Sequence, residues 1–274
     1  MKQLPFKTFK MAVLILFALY IFFPIYVVLM GSFKTEFGLY ADIFGLPKAL
    51  DFSNYKTALI DGHLKDYVIN SVIVTFTSVA VTITLSSMAA FALTRLKLKF
   101  SKLIYPFFLI GISIPAQVGI IQLAVMMSRM HLNNSLLGLI LVHIAYELPF
   151  SIFVFYGFMQ SLPWGIQEAA VIDGCSKWQL YWQFCLPLSA NAIATVAIFD
   201  TVDVWNNMLF SLVLISKESL RTLPYGLLQF RGQYSSQYTV IFAGAVLISL
   251  PLTILFILMQ EKFMSGITQG AVKG

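Results

Sequence analysis

The sequence predicts an all-α membrane protein of six transmembrane helices, with a cytoplasmic helical loop between the fourth and the fifth. Three observations carry this. Of 274 residues, 59% are hydrophobic and 11% charged, against about a quarter charged in a soluble domain. Six apolar runs, residues 11–30, 68–93, 103–127, 136–159, 188–215 and 240–260, come near the roughly 20 residues that about 30 Å of hydrocarbon requires. The short connection after the second run carries Arg95, Lys97, Lys99 and Lys102 without an acid, which sets an orientation.

The first run follows Lys2, Lys7 and Lys10. It is too long for the apolar part of a secretory signal, and Gly31-Ser32-Phe33 offers no small-x-small cleavage site, so it reads as a span that stays. The cations place the N-terminus and the second connection in the cytoplasm and residues 34–66 outside. An even number of spans returns the C-terminus to the cytoplasm. Lys217, Arg221 and Arg231 run against this rule. The net charge of +6 is mostly the same bias and implies no nucleic acid. The two cysteines, Cys175 and Cys185, are expected as reduced thiols; neither a disulfide nor a metal site is implied.

In order along the chain, Pro24 inside span one is tolerable where a neighbour covers the freed carbonyl. The outer segment carries turn formers at Gly38, Gly45, Pro47 and Gly62, and is either a contact for a delivery protein or a solvated loop. Span two is rich in small and hydroxyl residues, Thr75, Thr77, Ser78, Thr82, Thr84, Ser86 and Ser87 among them, which permit close helix contact. In span three, Gly111 to Pro115 softens the helix, as a packed kink or as the wall of a cavity.

Span four holds His143, Tyr146 and Glu147, with His143 and Glu147 on one helix face. A carboxylate inside a span costs several kcal/mol unless paired or wetted. It marks a functional site, or closes a structural pair with His143. Span five carries Asp200, Asp203, Trp205 and Asn207. Asp200, Asp203 and Asn207 follow i, i+3, i+7 and form one polar stripe. Hydroxyls of a sugar would satisfy these carboxylates and Trp205 would stack on its ring; a water-filled seam is the alternative.

Residues 160–187 form the longest polar-containing connection between apolar segments that also carries helix punctuation. Glu168 to Asp173 is expected as a short helix with its acid in the first turn, stopped by Gly174 in the left-handed conformation. Trp178, Tyr181, Trp182 and Phe184 continue at helical spacing until Pro187 blocks the helix. Glu168-Ala169-Ala170, Gly174 and Phe184-Cys185-Leu186-Pro187 resemble the EAA loop of permease subunits of ATP-binding-cassette importers. That family has Ile where Phe184 stands. The ending Gly266-Ile267-Thr268-Gln269-Gly270-Ala271-Val272-Lys273-Gly274, which composition alone reads as a disordered end, resembles the tail of the family's maltose-type carbohydrate branch. Thr222-Leu223-Pro224-Tyr225-Gly226-Leu227 and Trp205-Asn206-Asn207 resemble the same branch.

The resemblance implies that 1–274 is one transmembrane permease domain of a sugar importer, multi-pass in the plasma (inner) membrane of a prokaryote. It implies coupling to an ATPase through Glu168, Ala169, Ala170, Asp173, Gly174, Leu186 and Pro187, and a further contact through Gly270, Ala271, Val272, Lys273 and Gly274. The implied partners are a second homologous permease, a cytoplasmic ATP-binding-cassette ATPase dimer and an extracellular or periplasmic sugar-binding protein. ATP and magnesium belong to the ATPase, and no cofactor to this chain. Glu147, Asp200 and Asp203 stand where the branch is usually apolar or uncharged, and with His143, Tyr146, Trp205 and Asn207 they are candidates for the substrate pathway. Phosphate-loop, His-Glu-x-x-His and Gly-x-Ser-x-Gly motifs do not occur. An intramembrane enzyme or a proton-driven carrier using Glu147, Asp200 and Asp203 is the alternative; neither explains the loop or the tail.

Overall fold

Long apolar segments with few chain breakers close their backbone hydrogen bonds as helices, and among the described residues the regular structure is helical throughout. A computed structural model describes residues 4–96, 98–233 and 237–271. In chain order the helices are α1 (Leu4–Gly31), α2 (Glu36–Ala41), α3 (Ser53–Lys56), α4 (Leu64–Arg95), α5 (Ser101–Ile112), α6 (Ile120–Arg129) and α7 (Leu136–Ser161). There follow α8 (Trp164–Ile172), α9 (Lys177–Gln179), α10 (Leu186–Leu188), α11 (Ala190–Asn206), α12 (Leu209–Leu214), α13 (Leu223–Gln233) and α14 (Tyr238–Ala271). Among the described residues four helices are long and apolar enough to cross a membrane, and six spans result if each of two bent pairs counts as one.

The bends have identifiable causes. Residues 101–129 turn by 88° between Ile112 and Ala116. Pro115 there adopts ψ 137°, removes a donor and ends the helical path. The second bend, 71° between Leu188 and Ala190, falls two residues after Pro187. The proline itself occupies the first turn of α10, where a missing N–H costs nothing. The helix expected over residues 188–215 is in fact two, α11 and α12, parted at Asn207 and Met208. The glycine-rich ending differs from its composition too: α14 continues through Gly266 and Gly270 to Ala271, while Val272, Lys273 and Gly274 lie outside the described residues.

The chain forms two compact units, Met1–Lys65 with Gly226–Pro251, and Asp66–Tyr225 with Leu252–Gly274. In the first, Glu36 caps α14: its Oε1 accepts from Thr239 N at 2.8 Å and Thr239 Oγ1 at 2.9 Å. A carboxylate suits that helix end. Buried Asn54 donates to the carbonyls of Ser32 and Lys34, each at 2.9 Å.

The second unit has two cores. One joins Val74 of α4 to Met127, Leu139, Val142, Val204 and Phe210. The other joins Ala90 and Phe91 of α4 to Phe155, Ala170, Tyr181, Cys185 and Ala192. Lipid is as apolar as leucine, so close packing rather than burial from water holds such helices together. The small face of α4 provides it: Ser78, Thr82, Ser86, Ser87 and Ala90 are all fully buried. Gly111 lets α5 reach α7, since a Cβ there would meet Pro149 Cγ at 3.0 Å.

Candidate functional site

The connection between α7 and α11 is a braced elbow. Pro163 precedes α8, which starts at Trp164, four residues before the expected start. Glu168 thus sits in the second turn, and its charge does not meet the helix N-terminus as the sequence suggested. The reason is that Trp164, Gly165 and Ile166 extend the helix up to the proline. Asp173 caps α8 and Gly174 follows at φ +83°, a conformation open to glycine at little cost. Ser176 and Gln179 then close a capping box, and a wide-turn helical stretch over Leu180–Cys185 leads into α10.

Three contacts fix this elbow to the spans. Arg95, 4% exposed, donates through Nη2 to the carbonyls of Met159 and, at 2.9 Å, Leu162. Its guanidinium lies 4.7 Å from the centre of the Trp164 ring. Tyr181 Oη shares a 2.8 Å hydrogen bond with Ser87 of α4, and its ring lies 5.4 Å from Phe91. Ala170 and Cys185 are buried beneath, whereas Glu168, Ala169, Asp173 and Gly174 are exposed. Val171, Trp178 and Trp182 are exposed as well, and Ile172 is 84% exposed. The elbow shows an apolar and acidic surface on a fixed frame.

The intramembrane acids separate into two environments. Asp200 is fully buried and accepts from Ser151 Oγ at 2.8 Å; it lines none of the three cavities described next. Glu147 of α7, 6% exposed, and Asp203 of α11 face one shared cavity. A cavity of about 250 Å³ lies against both, walled by Gly111, Ile112, Tyr146, Phe150 and Phe199. A second, of about 260 Å³, meets Asp203, Asn206, Asn207, Gln117 and Tyr146. A third, of about 460 Å³, is almost wholly apolar and again meets Tyr146 and Gly111. Tyr146 borders all three.

Of the remaining candidates, Asn207 borders the second cavity, and His143 and Trp205 border none. His143 is buried with its ring 5.2 Å from Phe210, edge-on, and neither its Nδ1 nor Glu147 Oε1 has a hydrogen-bond partner. Glu147 shares a cavity with Asp203, whereas His143 lines none of the three. Trp205 is buried too and borders none of these cavities. Asn207 stands beyond the end of α11, where its Oδ1 accepts from Phe210 N at 3.1 Å and starts α12. The predicted stripe of Asp200, Asp203 and Asn207 is thus broken, because α11 ends at Asn206. Sequence reading missed Arg95 as a brace, Ser151 as the partner of Asp200, and Ser87 as the partner of Tyr181. Ser151 could have been found four residues after Glu147; the others carry no local signal.

Comparison with known proteins agrees with this architecture. The family described as "Binding-protein-dependent transport system inner membrane component" matches residues 82–269. The chain is 36% identical over 251 residues to a "Probable starch degradation products transport system permease protein" of Thermoanaerobacterium thermosulfurigenes, covering 91% of each. It is 32% identical over 270 residues to a diacetylchitobiose uptake system permease protein of Streptomyces coelicolor, covering 98% of this chain and 89% of that one. Its fold matches a chain from the crystal structure of a bacterial ABC transporter involved in alginate import, with a TM-score of 0.84 at 22% identity, over 94% of this chain and 96% of that chain. The chain belongs to the inner-membrane component family of binding-protein-dependent transport systems, the permease subunits of ATP-binding-cassette importers.

Proposed function

We propose that this permease carries sugars, oligosaccharides in particular, across the membrane, together with a second homologous permease and under the drive of a cytoplasmic ATPase dimer. A binding protein outside the membrane delivers the sugar. The observation that carries this is the elbow: exposed Glu168, Val171 and Ile172 on a helix clamped by Arg95. A rigid apolar knob of this kind fits a groove on a partner. Arg95 belongs to the cation-rich connection, so the positive-inside rule puts the elbow in the cytoplasm with it. Relatives named for starch degradation products and diacetylchitobiose support the substrate class.

In this reading, closure of the ATPases moves the elbow as a body. Gly174 sets its bend, Leu186 and Pro187 join it to α11, and the spans rock between outward and inward openings. The chain hydrolyses nothing itself; ATP and magnesium are used by the partner ATPase. Residues 270–274 add a second contact with the ATPase. The cavities around Tyr146 lie on the pathway, where Glu147 and Asp203 accept hydroxyls from the sugar and aromatic rings receive its apolar face. The carboxyl pair alone would suit a proton-driven carrier, but that reading leaves the elbow without a task.

The test is co-expression with candidate permease and ATPase partners, reconstitution in lipid, and ATP hydrolysis measured with binding protein loaded with different sugars. Stimulation by one class of oligosaccharide is expected. Absence of any bound ATPase together with absence of stimulation would overturn the reading.

A further inference from the structure

After α2 the chain doubles back along α1. The ring of Phe44 lies 5.5 Å from that of Phe23, and Tyr26 Oη donates to the Phe44 carbonyl at 3.0 Å. Phe23 stands eight residues before Gly31, where α1 ends. At about 1.5 Å per residue the turn therefore reaches back roughly 12 Å along the helix. Over Thr8–Gly31, α1 is apolar enough to span a membrane, and the rest of this chain buries none of its most apolar stretch. A turn beside it at that level meets the boundary of headgroups and acyl chains.

Backbone at such a boundary must find its hydrogen bonds within the protein, and this turn does. Asp42 Oδ1 accepts from Phe44 N at 3.2 Å and Gly45 N at 2.8 Å. Lys34 Nζ donates to the carbonyls of Asp42 at 2.6 Å and Ile43 at 3.3 Å. Asp42 N bonds to Gly38 O at 3.2 Å. Glycine is required at position 45, because a Cβ there would fall on the Asp42 carboxylate. The side chains do the opposite: Phe37 is 86% exposed, and Tyr40, Ile43, Phe44 and Leu46 are exposed around it. A solvated loop shows polar groups and hides apolar ones. This segment pairs its backbone groups and turns its apolar side chains outward, with the Asp42 carboxylate exposed among them.

We propose that residues 37–46 form an interfacial wedge that inserts Phe37, Tyr40, Ile43, Phe44 and Leu46 into lipid beside α1. The occupant is lipid rather than a protein because the apolar surface is continuous with the bare surface of α1 and lies below that helix's end. Aromatic rings and a buried lysine stem suit that boundary. The wedge ties the outer segment to the bilayer and leaves Lys48, exposed just beyond it, to face water.

The test uses the complete complex in liposomes of phosphatidylcholine and phosphatidylglycerol, on a Cys175→Ser/Cys185→Ser background. Nitroxide labels at Phe37→Cys, Phe44→Cys and Lys48→Cys are compared by electron paramagnetic resonance for collision with oxygen, which concentrates in lipid, and with a nickel chelate, which stays in water. The oxygen-to-nickel ratio is expected to be severalfold higher at 37 and 44 than at 48. Phe37→Cys removes little packing and remains readable if Phe44→Cys does not fold. Equal ratios at the three sites would overturn the wedge. So would protection of positions 37 and 44 from nickel only on adding sugar-loaded binding protein, which would make the segment a protein-docking surface. ATP hydrolysis in the same liposomes reports on the transport reading separately.

Discussion

Arg95 and Trp164 lock the end of α4 to the start of the elbow: the guanidinium sits 4.7 Å from the ring centre while donating to the Met159 and Leu162 carbonyls. Two helices and a loop converge on one buried cation. Charge-assisted hydrogen bonds and a desolvated cation–π contact together are worth about 3 kcal/mol. Arg95→Ala is expected to lower the thermal midpoint of the purified subunit and to weaken sugar-stimulated ATP hydrolysis. Arg95→Lys should recover part of the stability, since an ammonium cannot fork between two carbonyls and stack on a ring.

The Ser87–Tyr181 hydrogen bond gives a second, independent probe of the same joint. Tyr181→Phe keeps the ring packed against Phe91 and removes only the hydroxyl. Ser87→Ala and Tyr181→Phe should each cost about 1 kcal/mol, with a coupling of similar size in the double-mutant cycle. Unfolding of the subunit in mixed detergent measures it. Strict additivity would show that the hydroxyls do not interact.

Asp200 and Asp203 are three residues apart on one helix, yet only Asp203 borders the cavities. Asp203→Asn is expected to raise the KM for sugar uptake about tenfold, equivalent to roughly 1.4 kcal/mol. Asp200→Asn keeps an acceptor for Ser151 and should change KM less than about twofold while lowering stability. Transport assays on the two variants side by side decide this. Equal effects on KM would remove Asp203 from the pathway.

Cys175 is partly exposed at the elbow, whereas Cys185 is 5% exposed. A maleimide is expected to modify Cys175 in the free subunit while Cys185 stays unreacted until unfolding. Assembly with the ATPase should then slow the reaction at Cys175, as read by mass spectrometry. Unchanged labelling on assembly would place the partner elsewhere.

Much of this architecture is legible in one sequence, for physical reasons that vary by residue. Apolar length fixes spans almost irrespective of partners, so the four unbroken ones lie close to their expected positions. Gly174 announces itself because few other residues tolerate φ +83°. Breaks are harder: Pro115 bends its span at the proline, but Pro187 is absorbed into a first turn and the bend moves to Ser189. Asn207 looked like part of a helical stripe because periodicity cannot reveal that a side chain will cap the next helix. Charges mislead most. Arg95 reads as a topogenic cation and is a buried brace; Glu147 has a ready partner four residues away and instead shares a cavity with Asp203 of another helix. Such pairings depend on tertiary approach, which no local pattern encodes.

The most direct test of the account is Gly174→Asp, assayed for uptake and ATP hydrolysis in the same proteoliposomes. No atom lies within 4 Å of the Cβ this change adds, so its effect comes from the left-handed backbone, about 1–2 kcal/mol, and from a new charge on the proposed docking face. The account predicts that the complex still assembles and hydrolyses ATP, while sugar imported per ATP falls by about tenfold. Normal uptake at normal hydrolysis would contradict it, and the elbow would then be a structural connection without a part in coupling.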